Sequence, residues 1–545
     1  MNEILIVVSI IIFLCVFLNR ISSKFGIPVL LAFMVLGIII KSMNPRPYES
    51  MELEVMEKAC SVALIFIMFY GGFGTRMESA RPVIFPASVL STVGVAMTAA
   101  LVGLFCHFVL AWGWAESFVM GSVISSTDAA SVFAILRSRR LGLKNNIAPM
   151  LEVESGSNDP MSYMLTVVSL SFLNGSMSGG AAVLLIFKQL VIGGVGGWLL
   201  AKLMLSMMNS HLKPAATGFD SVMIVAVAIF SYAVPSALGG NGYLSVYIVG
   251  IMLGNYSSLV DRKTLASFFD GVTSMMQIFI FYMLGTCASV GSIHSAILPA
   301  LAIFIFLSLV ARPASVCSVL SLCKPRYPLW QQTFVSFVGL RGAASIVFAM
   351  MVVNNGVELQ HDIFNIVFCI VLISILLQGS LIPSAARKLN IVDDEANVLK
   401  TFTDFSEEEE MSFGQIEIDA ASPWKNRMVR DLDLPKNLLL VLLLRGNDRI
   451  LPKGHTTLLE GDVVILCTKS YSHVSSDSIY QHRVGRNSKW AGHTIKEYPY
   501  KTNCVIVLIN RGTERIIPNG DTVIEENDLL TIFDRNSTIR DFERQ

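Results

Sequence analysis

Charge is what this chain has least of. Of its 545 residues only 15% are Asp, Glu, Lys or Arg and 53% are hydrophobic, where a soluble domain carries about a quarter charged residues. That balance excludes an ordinary water-soluble protein and leaves one threaded many times through a bilayer. Neither sign dominates, since 41 basic and 41 acidic residues cancel, so there is no basic field to hold nucleic acid. The nine cysteines form no C-x-x-C pair and no cluster with histidine, which argues against both a resident metal and a disulfide framework. A phosphate-cradling glycine loop is also missing. Gly193-Gly194-Val195-Gly196-Gly197 follows no strand and reads as close packing within a membrane helix. The N-terminus lacks a basic n-region and a small-residue cleavage site, so the run from Ile4 to Leu18 is expected to stay as a first span.

Long apolar runs dominate the first 390 residues, and hydropathy divides them into about thirteen spans. Loop charge checks the count. Arg20/Lys24, Arg76/Arg81, Arg137 to Lys144, Lys213, Arg262/Lys263, Lys324/Arg326 and Arg387/Lys388 fall in alternate loops. The intervening loops are nearly free of Lys and Arg; the first of them, with Lys41, Arg46 and Lys58, is the exception. The positive-inside rule then puts the N-terminus outside and the C-terminus in the cytoplasm, which requires an odd number of spans.

Three spans carry polar groups at a depth where they are costly. The sixth, near 147–173, contains Glu154-Ser155-Gly156-Ser157-Asn158-Asp159-Pro160. Ionisable groups there mark an ion or proton pathway by default; the plainer alternative is a carboxylate neutralised by another helix. On a helix Ser155 and Asp159 share a face, with Glu154 and Asn158 on the adjoining one. Pro160 removes a backbone donor and frees a carbonyl beside Asp159. The fifth span, near 117–136, contains Ser125-Ser126-Thr127-Asp128, and the twelfth, near 329–353, contains Gly339-Leu340-Arg341-Gly342. Both are expected to unwind locally, and they run in opposite directions across the membrane. Interrupted helices at corresponding positions of oppositely oriented halves point to an inverted-repeat transporter with its site at the midplane. Arg341 keeps its proton and needs an anion; Glu154 is the expected partner, because Asp159 must stay free if it carries the exchanged ion.

After Lys388 the composition changes. An acidic linker holds Asp393-Asp394-Glu395 and Glu407 to Glu410, and a tandem repeat follows. Asn437 to Gly454 recurs as Asn503 to Gly520, with Arg445/Arg511, Arg449/Arg515, Pro452/Pro518 and Asp462/Asp528 in step. Each copy reads as a small β-rich domain.

The membrane motifs resemble those of the sodium/proton exchanger superfamily, monovalent cation:proton antiporter-1 branch. Glu-Ser-x-x-Asn-Asp, Thr-Asp and Gly-Leu-Arg-Gly-Ala occur together in matching spans. The resemblance implies an all-α polytopic membrane protein, about 13 transmembrane helices in inverted repeats with crossed interrupted helices, plus small α+β cytoplasmic regulatory domains. It also implies a homodimer in the cell membrane with elevator-like alternating access. Asp159 matches the family's ion-binding acid, Asn158 its amide neighbour, and Ser155 and Thr127 further ion ligands, Thr127 through its backbone carbonyl. Asp128 matches the acid of the crossing, and Glu154 with Arg341 the family's ion pair. Some relatives add a glutamate in the third span; Ile65 to Phe73 contains no acid. The tail copies resemble the TrkA-C domain of potassium-conductance regulators. The division expected is 1–390 for transport, 391–411 for the linker, and 412–472 and 478–545 for the two copies. Such pairs bind small ligands, cyclic dinucleotides among them, which would make Arg449, Ile450, Pro452, Arg515, Ile517 and Pro518 contacts; the alternative is that they only shape turns. No G-x-G-x-x-G follows a strand in the tail, so NAD is not implied.

One carboxylate in a low-dielectric site holds either a proton or a cation, because the cation favours the charged form and the proton abolishes it. If only loaded states cross the membrane, exchange is obligatory. The reading is therefore a secondary antiporter exchanging potassium, sodium or both for protons, one for one, with no cofactor and regulated by its tail. A ligand-gated channel would need a repeated carbonyl filter, and a membrane-anchored sensor an output module; neither motif is present in the sequence.

Overall fold

A computed structural model describes residues 9–18, 29–43, 53–139, 141–175, 179–209, 219–256, 262–323, 327–356, 359–393, 411–419, 422–432, 434, 438–446, 448–469, 479–485, 491–497, 504–511, 514–516, 518 and 520–534. The chain divides into two compact units, Met1–Ser406 and Glu407–Gln545.

The described residues of the first unit are almost wholly helical. The unit begins with α1 (Ser9–Leu18), α2 (Val29–Met43), α3 (Leu53–Gly74) and α4 (Ile84–Phe108). The fifth apolar run is broken into α5 (Trp114–Ile124) and α6 (Ala129–Ser138). Then come α7 (Ile147–Leu173), α8 (Gly179–Asn209), α9 (Phe219–Ala237), α10 (Gly242–Gly254), α11 (Arg262–Cys287) and α12 (Gly291–Leu322). The twelfth run is likewise broken, into α13 (Leu329–Phe337) and α14 (Ala343–Asn354), before α15 (Ile363–Lys388) closes the unit. Among the described residues six helices are long and apolar enough to cross a membrane by length and composition, the joined α5–α6 run among them. Their outward faces are apolar: Val183, Leu184, Phe187, Trp198, Leu199 and Leu203 of α8 are all exposed, as a lipid-facing surface requires.

Packing between these helices relies on small residues, since lipid supplies no hydrophobic drive for helix association. A Cβ on Gly72 of α3 would overlap the Tyr247 carbonyl of α10, and one on Gly250 of α10 would overlap the Phe69 carbonyl of α3. The Gly193-to-Gly197 stretch lies within α8, where a Cβ at Gly197 would stand 2.8 Å from the Ser245 Cα of α10. Three π turns, Leu90–Gly94 in α4, Leu307–Ala311 in α12 and Ser374–Gly379 in α15, shift side-chain register in the helices around the two breaks. A two-residue strand β1 (Gly142–Leu143), between α6 and α7, pairs antiparallel with β2 (Val392–Asp393) just beyond α15.

The second unit contains two sheets of the same topology. One runs β3 (Met411–Glu417), β6 (Val463–Lys469), β4 (Leu438–Arg445), β5 (Asp448–Ile450). The other runs β7 (Ile479–Arg483), β10 (Leu529–Asp534), β8 (Cys504–Arg511), β9 (Glu514–Ile516). Each repeats the same brace. Arg445 bonds both carboxylate oxygens of Asp462 at 2.8 Å, and Arg511 bonds those of Asp528 at 2.9 and 2.8 Å. Both aspartates are buried, so a bidentate arginine is what makes their burial tolerable.

Candidate functional site

The breaks occur where the side chains compete with the helix for backbone groups. Ser125 returns its hydroxyl to the Ser122 carbonyl at 2.7 Å, ending α5. Asp128 then caps α6, accepting from the Ser131 amide at 3.1 Å and from its hydroxyl, as an N-cap aspartate does. The two broken runs meet: the Asp128 amide donates to the Leu340 carbonyl at 2.8 Å.

Arg341, 1% exposed, crosses from the second break and donates Nη1 to the Ser125 and Ser126 carbonyls at 2.8 and 2.6 Å. It satisfies acceptors orphaned at the C-terminal end of α5, where a positive charge is also favoured by the helix dipole. Asp128 serves the opposite end, at the N-terminus of α6. The glycines flanking Leu340-Arg341 have separate spatial reasons. A Cβ on Gly342 would stand 2.5 Å from the Asp128 side chain, and one on Gly339 would stand 2.8 Å from Arg312 Nε.

Arg312 corrects the expected ion pair. Glu154 pairs with Arg312, not Arg341: Nη2 lies 2.8 Å from Oε1 and 2.9 Å from Oε2, with both side chains 2–3% exposed. The physical reason is competition for donors. Arg341 is committed to the open carbonyls of its own crossing, while Arg312 follows directly on the π turn of α12. The sequence did carry a signal, a lone arginine at the end of an apolar run, which a search restricted to polar breaks passes over.

α7 lies alongside the crossing, joined to α5 by the Ser162 hydroxyl, which donates to the Ser122 carbonyl at 2.6 Å. Ser155 Oγ donates to the Thr127 carbonyl and accepts from the Ala129 amide, both at 2.9 Å. The Ser126 hydroxyl donates to Asp159 Oδ1. Among the described residues Asp159 forms no ion pair. Asp159, Ser155, Thr127, Ser126 and Asp128 lie on the wall of a single cavity of about 200 Å³. Asn158 is not on that wall: fully buried, it donates its amide to the Thr127 hydroxyl and braces the residue whose carbonyl Ser155 also holds. Pro160 offers no amide to Gly156 four residues earlier, and Gly156 lines the cavity. The side-chain amide of Asn241, the N-cap of α10, donates to the Pro160 carbonyl at 2.7 Å.

The cavity has further polar walls that the motifs did not indicate: Glu152 of α7, Tyr70 of α3, and Asp270, Thr273 and Gln277 of α11. Their signal was a polar row at helical spacing in α11, hidden by a hydropathy reading of that run as a plain span.

Of the tail residues singled out above, Ile450 packs against the core of the first copy, and Pro452 and Pro518 are half-buried. Arg449 and Arg515 lie in β5 and β9, with only their backbone described, and Ile517 falls outside the described residues.

A half-buried carboxylate on a cavity between two crossed, broken helices defines a membrane ion transporter. The family described as "Sodium/hydrogen exchanger, transmembrane" matches residues 9–388, and the TrkA-C domain matches 413–471 and 479–545. The chain is 32% identical over 471 residues to the K(+)/H(+) antiporter NhaP of Alkalimonas amylolytica, covering 86% of this chain and 81% of that protein. It is 26% identical over 355 residues to Na(+)/H(+) antiporter 1 of Methanocaldococcus jannaschii, covering 63% and 81%. The solved structure of the sodium proton antiporter MjNhaP1 from that organism at pH 8 shares the fold, with a TM-score of 0.63 at 24% identity over 71% of this chain and 99% of that one. This chain belongs to the sodium/hydrogen exchanger family and carries a TrkA-C tail. It is a membrane cation/proton antiporter, a secondary transporter and not an enzyme.

Proposed function

We propose that the protein exchanges cytoplasmic potassium, sodium or both for external protons, one for one, by alternating access of the Asp159 cavity. The carrying observation is that Asp159 faces the cavity with a neutral hydroxyl on one oxygen and no described basic partner. Ionised, it binds a cation together with oxygens of Ser155, Thr127 and Asp128; protonated, it releases it. Asn158 acts through Thr127. Because proton and cation occupy the same carboxylate in turn, each cycle moves no net charge. Potassium is supported by the names of relatives that align over more than four fifths of the chain, such as the K(+)/H(+) antiporter NhaP, whereas the relative aligned over 63% is called a Na(+)/H(+) antiporter.

The arrangement we infer around this site is thirteen crossings with the N-terminus outside, a homodimer, and a cytoplasmic tail that regulates transport. Residues 1–390 carry exchange, 391–411 link, and 412–472 and 478–545 form the regulatory pair. A small nucleotide bound between the copies, with Arg449, Ile450, Pro452, Arg515, Ile517 and Pro518 as contacts, is the regulator that the TrkA-C likeness suggests.

The decisive experiment uses everted vesicles acidified inside and a pH-sensitive dye. Adding potassium or sodium chloride should dequench the dye with wild type and leave it quenched with Asp159→Asn. Dequenching that survives the substitution removes Asp159 from the mechanism.

A further inference from the structure

The wall of the cavity carries more polar groups than Asp159 and its neighbours account for. Glu152, Ser155 and Asp159 sit on α7, and Asp270, Thr273 and Gln277 on α11; all six line the same space. Both rows follow one spacing, i, i+3 or i+4, i+7, which keeps each on a single helical face. At 1.5 Å per residue each row runs roughly 10 Å along its helix. Glu152 and Asp270 stand at the N-terminal ends of the rows, nearest Arg139 to Lys144 before α7 and Arg262 and Lys263 at the start of α11, basic residues that mark the cytoplasmic side in the proposed topology. Asp270 is exposed and Glu152 half-buried. Tyr70 directs its hydroxyl to Asp270 Oδ1 at 3.4 Å. Between Asp270 and the deep end, Thr273 is only 7% exposed, and its hydroxyl has no hydrogen-bond partner among the described residues. An unpaired buried hydroxyl on a cavity wall is a group that a ligand can complete.

We propose that this half of the cavity holds a second monovalent-cation site, in which the Asp270 and Glu152 carboxylates capture a hydrated alkali cation and the Thr273 and Gln277 oxygens pass it to Asp159. The idea rests on the antiporter reading above and adds to it a place where the cation waits. Two carboxylates at the mouth of a low-dielectric cleft raise the local cation concentration. Hydroxyl and amide oxygens further in replace shed water, which suits hard cations. Such a site changes how much cation is needed to load Asp159 and leaves the exchange step itself alone.

In everted vesicles, which present the cytoplasmic face to the added salt, the double variant Asp270→Asn with Glu152→Gln should raise the half-saturating potassium or sodium concentration about tenfold. The maximal rate should stay within about twofold of wild type. Thr273→Val should raise the half-saturating concentration severalfold and Thr273→Ser should not. In right-side-out vesicles, where salt is added to the opposite face, none of these variants should change it. An unchanged half-saturating concentration in the double variant overturns the proposal, as does a fall in maximal rate alone. If the double variant fails to reach the membrane, Thr273→Val against Thr273→Ser decides by the same criteria. Loss of exchange in the wild-type protein would instead refute the antiporter reading, and the Asp159→Asn control separates the two failures.

Discussion

The Glu154–Arg312 pair makes a quantitative claim that the motif-level expectation would have placed on Arg341. Both side chains are 2–3% exposed and 2.8 Å apart. Arg312→Met leaves a carboxylate buried without its counter-charge, which costs about 3–5 kcal/mol. Glu154→Leu leaves an arginine in the same position and costs a similar amount. Removing both with side chains of similar volume takes away the pair and its desolvation together, so the double variant should recover most of either loss, within roughly 1–2 kcal/mol of wild type. The expected coupling between the two positions is therefore about 4 kcal/mol or more, above the usual range for contacting residues. The cycle with Arg341→Met should behave differently. That substitution strips donors from the Ser125 and Ser126 carbonyls, roughly 1–3 kcal/mol for each acceptor left bare, and its cost should add to that of Glu154→Leu. Thermal unfolding of the purified protein in detergent at one fixed scan rate reads both cycles, since only differences between variants are needed. Strong coupling of Glu154 to Arg341, with simple addition at Arg312, would refute the assignment.

Gly342→Ala puts a methyl group 2.5 Å from the Asp128 side chain, so dye-monitored exchange should fall by about tenfold or more, at unchanged protein level, through displacement of Asp128. Gly113→Ala, where no atom lies within 4 Å, is the matched control and should be silent. In the tail, the hydrogen bond from Arg445 holds the Asp462 carboxyl below its ordinary value against the opposing effect of burial, with the Leu459 amide helping. A carboxyl depressed in the folded state stabilises above its unfolded value, about 3.9, and that stability is lost as pH falls through the folded one. Hydrogen exchange of the 438–469 strands in the full chain should thus be insensitive to this group above about pH 5. Below about pH 4 their opening free energy should fall in wild type. Asp462→Asn should remove that dependence and speed exchange at neutral pH; identical profiles would refute it.

The two helix breaks were legible because each is a local conflict written in a few consecutive residues. Ser-Ser-Thr-Asp offers side-chain partners to the backbone and Gly-Leu-Arg-Gly removes packing bulk, and both interrupt runs otherwise long enough to span. The shared face of Ser155 and Asp159 follows from helical spacing alone. The tandem tail was legible for a similar reason, since Arg445 and Arg511 keep step with Asp462 and Asp528 and the two sheets then form with one topology. The partner of Glu154 was not legible. Arg312 and Arg341 are both buried cations, distant in sequence, and the choice depends on which orphaned carbonyls each can reach once the breaks have crossed. The cavity wall on α11 was missed because average hydropathy discards phase: Asp270, Thr273 and Gln277 hardly lower the mean of their run but occupy one face of it.

On the mechanism proposed above, the placement of the two arginines leaves Asp159 available to exchange ligands. A crossing of two broken helices exposes carbonyls at one half-helix end and amides at another, and each set attracts whatever opposite charge is near. Here both are already served by fixed residues, Arg341 on the carbonyls of α5 and Asp128 on the amides of α6. Glu154, one position around the helix from Ser155, is held by Arg312. These groups are thereby held in structural roles, while Asp159 meets a serine hydroxyl on its cavity side. A hydroxyl stabilises a carboxylate far less than a guanidinium does, which is what the proposed competition of a proton and an alkali cation at Asp159 requires. Had either arginine reached Asp159, the cation would have had to compete with a tethered guanidinium, and the site would have been locked.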